Sequence, residues 1–234
     1  MSAIPSPEAV HHIALCTNDM KEQIEFFTQA LGMELVALFE MHGVPGGRHS
    51  FLRLGDHCSL SFVELPDGAD VEIEIGKTHA GNGSLPCAPG TMQHLALRAP
   101  DEAALLGLRD RLRSHGINVF GPIDHGMCKS IYFAGPEQLT LEIATSEVAV
   151  DAEQWIDPQV CQACGIDETD LKRFTNPTPF EKPHTAVTQP PIDRSKPHMV
   201  YPPKLYEMMA NLSDEDLATN ADYKEPPVPA RKVG

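Results

Sequence analysis

The sequence predicts an α+β fold of two βαβββ modules, whose sheets pair into a half-open barrel, followed by a proline-rich arm. Three observations carry this expectation. A segment near the N-terminus recurs just after residue 90, each copy is followed by the same order of helical and strand-like periodicity, and the composition changes from about Val148.

The first copy reads His12-Ile13-Ala14-Leu15-Cys16-Thr17-Asn18-Asp19, and the second His94-Leu95-Ala96-Leu97-Arg98-Ala99-Pro100-Asp101. An internal repeat of this kind sets the unit of the fold. Each copy reads as a short strand ending at an aspartate that can cap a helix. After Asp19, Ile24, Phe27, Ala30 and Leu31 fall at helical spacing and Gly32 stops the helix; after Asp101, Leu105, Leu108, Leu112 and Gly116 repeat the pattern. Strand-like stretches follow at 34–41, 49–54 and 59–65 in the first module and at 118–121, 130–134 and 139–144 in the second. The modules thus occupy 8–65 and 91–146 of a domain spanning 8–146, joined by a loop rich in Gly, Asp and Pro over 66–90. The extension, 147–234, is crowded with prolines and sparse in apolar residues. Short helices are expected from Asp157, from Asp167, over 203–211 and from Ser213, with a disordered end after Lys224. Its large side chains, among them Trp155, Phe174, Phe180 and Tyr206, suit an arm that docks on a second subunit, so a homodimer is expected.

Charge narrows the partners. Lys+Arg 18 against Asp+Glu 33 gives a net charge of -15, which repels nucleic acid and anionic membranes and leaves a small molecule as the expected ligand. No apolar run is long enough to span a bilayer, and residues 1–10 read as no secretory leader. The six cysteines follow no disulfide spacing, so reduced thiols and a cytoplasmic location are expected.

The repeat also places chemistry. His12 and His94 occupy the same position in the two first strands; His11 is the rival of His12, but Gln93 stands where His11 does. In the last strand, Leu139, Leu141 and Ile143 share one face and Thr140 and Glu142 the other. A glutamate in a buried strand is costly unless a cation compensates it. Two imidazoles and a carboxylate on one side of an ion leave positions open for substrate, a donor set suited to Fe(II), with Mn, Zn and Ni as the other metals it could take. The barrel is accordingly expected around a metal on His12, His94 and Glu142. Cys161-Gln162-Ala163-Cys164 lacks a second CxxC, and His184 and His198 fall at irregular spacing, so it is not read as a zinc site.

These residues resemble the vicinal oxygen chelate superfamily of glyoxalases, epimerases, resistance proteins and extradiol dioxygenases, over about residues 8–146. Ile123-Asp124-His125, then Ile131-Tyr132, Pro136 and Glu142 are similar to the type I extradiol dioxygenase signature, from which Gly135 and Gln138 depart. The resemblance implies that His125 and Tyr132 hydrogen-bond the oxygens of a catecholate chelated to Fe(II), with dioxygen as co-substrate. At Asp56-His57-Cys58-Ser59-Leu60-Ser61-Phe62 the family's acid–base histidine is replaced by Cys58, a poor proton carrier near neutral pH, so His57 is expected to take the role. Matching the two last strands puts Ser61, not Glu64, opposite Glu142, which leaves a three-ligand site. The function expected is a ring-cleaving dioxygenase acting on a small catecholic or vicinal-oxygen substrate. The alternatives are a lyase, isomerase or epimerase that stabilises an enediolate, and a protein that sequesters an aromatic ligand.

Overall fold

The computed structural model describes residues 3–4, 6–220 and 225–228. In chain order its first elements are β1 (Ala3–Ile4), β2 (His12–Cys16), α1 (Met20–Gln29), β3 (Glu34–Glu40), β4 (Arg48–Gly55) and β5 (Cys58–Glu64). There follow β6 (Leu95–Arg98), α2 (Glu102–Ser114), β7 (Phe120–Asp124), β8 (Lys129–Ala134) and β9 (Thr140–Thr145). The chain divides into a unit of residues Ala9–Thr175, which holds both modules, and a unit joining Met1–Glu8 to Asn176–Gly234. Among the described residues no helix is long and apolar enough to cross a membrane.

The βαβββ order appears twice, as expected. The sheets run β2-β5-β4-β3 and β6-β9-β8-β7, each with its first strand parallel to its last and the others antiparallel. Among the described residues no hydrogen-bonded strand pair joins the two sheets, so the barrel is not closed. Both helices begin as the sequence dictates: Asp19 accepts from the Glu22 amide and Asp101 from the Ala104 amide, each at 2.8 Å. Gly32 and Gly116 end them in the left-handed region, at φ 74° and 77°. One strand starts late. Pro122 has no N–H for the ladder, and the pairing of β7 with β8 slips between Phe120 and Ile123.

Alternation along the strands decides which face is inside. Leu52, Leu60 and Phe62 of the first sheet and Ile131, Leu141 and Ile143 of the second turn toward Phe27 of α1 and Leu105 and Leu112 of α2, and all are buried in one continuous core. Each such side chain contributes roughly 1.5–3 kcal/mol by leaving water. The helix side of each sheet is therefore the inner side of the domain.

One carboxylate ties the modules. Glu137, in the 3-10 turn Pro136–Gln138, accepts from the Thr17 hydroxyl (2.6 Å), the Asn18 amide (2.7 Å) and the Gln23 side-chain amide (2.7 Å) at the start of α1. Nearby, the Arg111 guanidinium of α2 donates to the Gln29 carbonyl at the end of α1. Glu137 and Gln138 both lie in the left-handed region, at φ 51° and 60°. An L-residue there costs about 1–2 kcal/mol. Glu137 offsets its share through its three bonds, whereas exposed Gln138 makes none that explains the strain, and the extradiol signature usually has glycine at that position. Gln138→Gly is expected to stabilise the protein by up to about 1 kcal/mol, read as a raised urea midpoint at unchanged slope. A lowered midpoint would show that the Gln138 side chain supports the turn.

After the modules come α3 (Ala152–Trp155), α4 (Pro158–Ala163) and α5 (Glu168–Thr175), all within the larger unit. Helices α4 and α5 start at the expected Asp157 and Asp167, which accept from the Gln159 and Asp170 amides. In the smaller unit β10 (Phe180–Glu181) pairs with β1, and α6 (Pro203–Asn211) and α7 (Asp214–Asn220) follow. Ser213 caps α7 through the Asp216 amide. Arg194 lies over the Tyr206 ring at 5.3 Å and pairs with Glu207 at 3.7 Å. Of the stretch after Lys224, for which disorder was expected, only 225–228 are described.

Candidate functional site

The face of each sheet opposite the helices carries the polar groups. In the second module, β6 and β9 pair so that Ala96 stands beside Glu142, which brings His94, just before β6, against the carboxylate. His94 Nε2 lies 3.0 Å from Glu142 Oε2, and the Glu142 side chain is only 7% exposed. Tyr132, paired with Glu142 across β8 and β9, donates its hydroxyl to Oε1 at 3.2 Å. His125 Nε2 meets the same hydroxyl at 2.9 Å. A continuous polar chain thus runs from exposed His125 through Tyr132 to Glu142 and His94. Burial, and then the Glu142 charge, pushes the Tyr132 phenol above its ordinary range, against the opposing effect of the Ser130 hydroxyl. The phenol remains protonated at neutral pH.

The His94–Glu142 contact at 3.0 Å suits either a hydrogen-bonded pair or two donors to a divalent cation. The Gln93 side-chain oxygen accepts from His94 Nδ1, which leaves Nε2 as the ring nitrogen that faces the carboxylate oxygen. Two acceptors so placed are held together either by a second imidazole proton or by a cation between them. Ligands in adjacent octahedral positions with bonds of about 2.1 Å lie about 3.0 Å apart, matching the observed separation. The pair therefore fits two positions of a divalent ion.

The first module presents a different surface. His12 Nδ1 lies 2.9 Å from His11 Nδ1, and the His12 ring packs edge-on to Phe51 with centroids 5.4 Å apart. Its pairing register repeats that of the second module: Ala14 stands beside Ser61 as Ala96 stands beside Glu142. Ser61 is thus the counterpart of Glu142, and Phe51, opposite Ser61, the counterpart of Tyr132. Glu64 falls on the other face and pairs with Arg48 at 2.5 Å. The structure brings His94, Glu142, Tyr132 and His125 together; it does not bring His12 to them. Among the described residues no group of three His, Cys, Asp or Glu side chains is arranged to hold a metal ion, the Cys161/Cys164 pair included. His57 sits in the two-residue turn between β4 and β5, exposed, and hydrogen-bonds to none of the other expected site residues.

One group on this face was not read from the sequence. His49 bonds through Nε2 to the Ser61 hydroxyl at 2.8 Å and packs on Phe51 with centroids 4.5 Å apart. Phe39 joins the cluster, 5.6 Å from His49 and 5.2 Å from His42. Burial, with His12 and His42 nearby, lowers the His49 pKa below its ordinary 6.5 and favours the neutral ring. The signal was present in the alternation His49, Phe51, Arg53, which puts His49 on the face opposite Ser50 and Leu52.

The profile of the glyoxalase/bleomycin resistance protein/dioxygenase superfamily matches residues 9–143, more than half of the chain. The chain belongs to this superfamily. A 2-epi-5-epi-valiolone epimerase from Actinomyces sp. is 26% identical over 182 residues, covering 69% of this chain and 92% of that protein. Among solved structures, a glyoxylase/bleomycin resistance protein/dioxygenase domain from Frankia sp. is similar at a TM-score of 0.47 and 14% identity, over 61% of this chain and 100% of that one. A lactoylglutathione lyase from Agrobacterium tumefaciens gives 0.42 and 19%, over 60% and 96%. An antibiotic-binding protein from Streptomyces sp. gives 0.43 and 20%, over 62% and 100%.

Proposed function

We propose that this superfamily member is a divalent-metal-dependent enzyme that moves a proton at a carbon beside a carbonyl, in the epimerase or isomerase class, on a small substrate with vicinal oxygens. The observation that carries the reading is the bonded chain His125–Tyr132–Glu142–His94, which sets a proton-carrying phenol directly beside a chelating pair. The bound ion would polarise the carbonyl and stabilise the negative charge that develops on its oxygen as the proton leaves. Tyr132, protonated and aimed at the same locus, donates to a substrate oxygen, and His125 at the exposed end re-supplies the proton from solvent. Inversion at carbon requires removal of a proton on one face and its return on the other. The identity to the Actinomyces epimerase points to the same class, because the alignment extends beyond the two modules.

Ring cleavage of a catechol, with Fe(II) and dioxygen, is the second reading. The His125–Tyr132 contact at 2.9 Å favours it, since the extradiol signature implies these two as partners of substrate oxygens. Against it stands Cys58 in place of the acid–base histidine. The two readings separate in one comparison. Loaded anaerobically with Mn(II) and given 2-epi-5-epi-valiolone or a related cyclic hydroxy ketone in D2O, the protein should incorporate deuterium beside the carbonyl. Oxygen uptake with a catechol panel and Fe(II), without any exchange, would overturn the epimerase reading. Tyr132→Phe is expected to lower turnover by about 100-fold or more with metal content unchanged, and His125→Ala by less, because water can replace an exposed proton donor. Wild-type turnover in both variants would remove them from the mechanism.

A further inference from the structure

We propose that Cys161 and Cys164 form a reversible dithiol–disulfide site that exchanges with low-molecular-weight disulfides, cationic ones foremost. The pair lies at the end of α4 in the C-terminal extension, and no step proposed above uses it. Both cysteines are free thiols in the structure. Among the described residues no third His, Cys, Asp or Glu joins them as a metal site, which leaves each thiol with the other as its chemical partner.

The backbone brings the two together. Cys164 ends α4, and its amide donates to the Val160 carbonyl at 2.9 Å and to the Cys161 carbonyl at 3.1 Å. The second bond spans three residues, so the last turn tightens toward a 3-10 turn, in which side chains three apart stand one above the other. Gly165, at φ 71°, then reverses the chain. Its amide reaches the Gln162 carbonyl at 3.1 Å, and the Ile166 amide returns to the Cys161 carbonyl at 2.9 Å. Residues three apart on a regular helix have Cβ atoms about 5–6 Å apart, whereas a disulfide needs about 3.5–4.5 Å. The tightened turn covers part of that difference. The rest comes from the terminal turn of a helix of only 6 residues, which frays readily.

Exposure orders the two thiols. Cys164 is exposed and Cys161 half-buried, so Cys164 attacks and Cys161 resolves. The Cys164 thiolate attacks one sulfur of a disulfide RSSR, forming a mixed disulfide and releasing one thiolate. The Cys161 thiolate then attacks the Cys164 sulfur, closing the intrachain bond and releasing the second. The two protons given up by the cysteines end on the two released RSH molecules; the protein is oxidised by two electrons and RSSR is reduced by two. Charge selects the reagent. Asp157, Asp167 and Glu168 flank the pair in sequence and the chain carries a net charge of -15, which draws a cationic disulfide and repels an anionic one.

The full chain, incubated at low salt with cystamine or with glutathione disulfide, quenched with iodoacetamide and digested with trypsin, tests this by mass spectrometry. Tryptic peptide 130–172 holds these two cysteines and no others. With cystamine it should lose two hydrogens and carry neither an adduct nor an alkyl group, and glutathione disulfide should react about 10-fold more slowly, the gap closing as salt is added. Cys161→Ser should stop at a stable cystamine adduct on Cys164, and Cys164→Ser should react about 10-fold more slowly than wild type. The wild-type masses decide the matter even where a variant misfolds. A wild-type peptide that stays fully alkylated under cystamine, keeps an adduct, or links to another cysteine peptide would overturn the inference. Equal rates with the two reagents at low salt would overturn the preference for cationic disulfides.

Discussion

On the proposed metal reading, replacing Glu142 with Ala is expected to lower divalent-metal affinity by more than about 100-fold, since loss even of a hydrogen bond to a ligand costs 10–100-fold and this substitution would remove the ligand itself. The expected result is near-zero Mn(II) occupancy with the secondary structure intact. A competing account would make His94–Glu142 at 3.0 Å a buried ion pair that serves folding. The two accounts diverge in metal-free protein. Breaking a structural buried pair costs about 3–5 kcal/mol. If the carboxylate is there for a cation, it is a desolvated group without its proper partner, and Glu142→Gln should leave apo stability within about 1 kcal/mol of wild type or raise it. Chemical denaturation of the apo proteins and titration with Mn(II) read both quantities on the same variants. A Glu142→Gln protein that loses several kcal/mol and never bound metal would establish the ion-pair account.

Glu137→Ala is expected to lower stability by about 3 kcal/mol, a large loss for a partly exposed side chain. Three donors converge on that carboxylate at 2.6–2.7 Å. A hydrogen bond to a charged group contributes about 1.5–3 kcal/mol, a figure reduced here because Glu137 is half-exposed. Two of the donors belong to buried residues, Thr17 and Gln23, and both would be left without that partner. The loss also relaxes the attachment of the second module to α1. For a protein of this size the melting temperature should fall by about 6–12 °C. Glu137→Gln, which keeps the acceptor oxygen but not the charge, should recover part of it. A change of less than about 1 kcal/mol would show that the core and the Arg111–Gln29 contact hold the modules without this carboxylate.

The sequence alone determined the elements and the faces. The recurrence of His-x-Ala-Leu with its following periodicities dictated two βαβββ modules, because alternation and helical spacing are local consequences of backbone geometry. The same logic aligned Ser61 with Glu142, which the strand register reproduces, and it placed the starts of α4, α5, α6 and α7 from their caps and prolines. Tertiary structure decided which faces meet. Periodicity assigns His12 and His94 to equivalent faces, but it carries no information on whether those faces share a cavity or point into separate ones. That choice depends on packing between residues some hundred positions apart, where Glu137 reaches Thr17 and Gln23. Glu137 itself gave no signal, since an isolated glutamate in a turn reads as a solvated charge. Alternation places His49 on the first module's polar face, but its partners there, Ser61, Phe51 and Phe39, follow only from the folded structure. A side chain's period follows from its own strand, whereas its neighbours follow from where the other strands are placed.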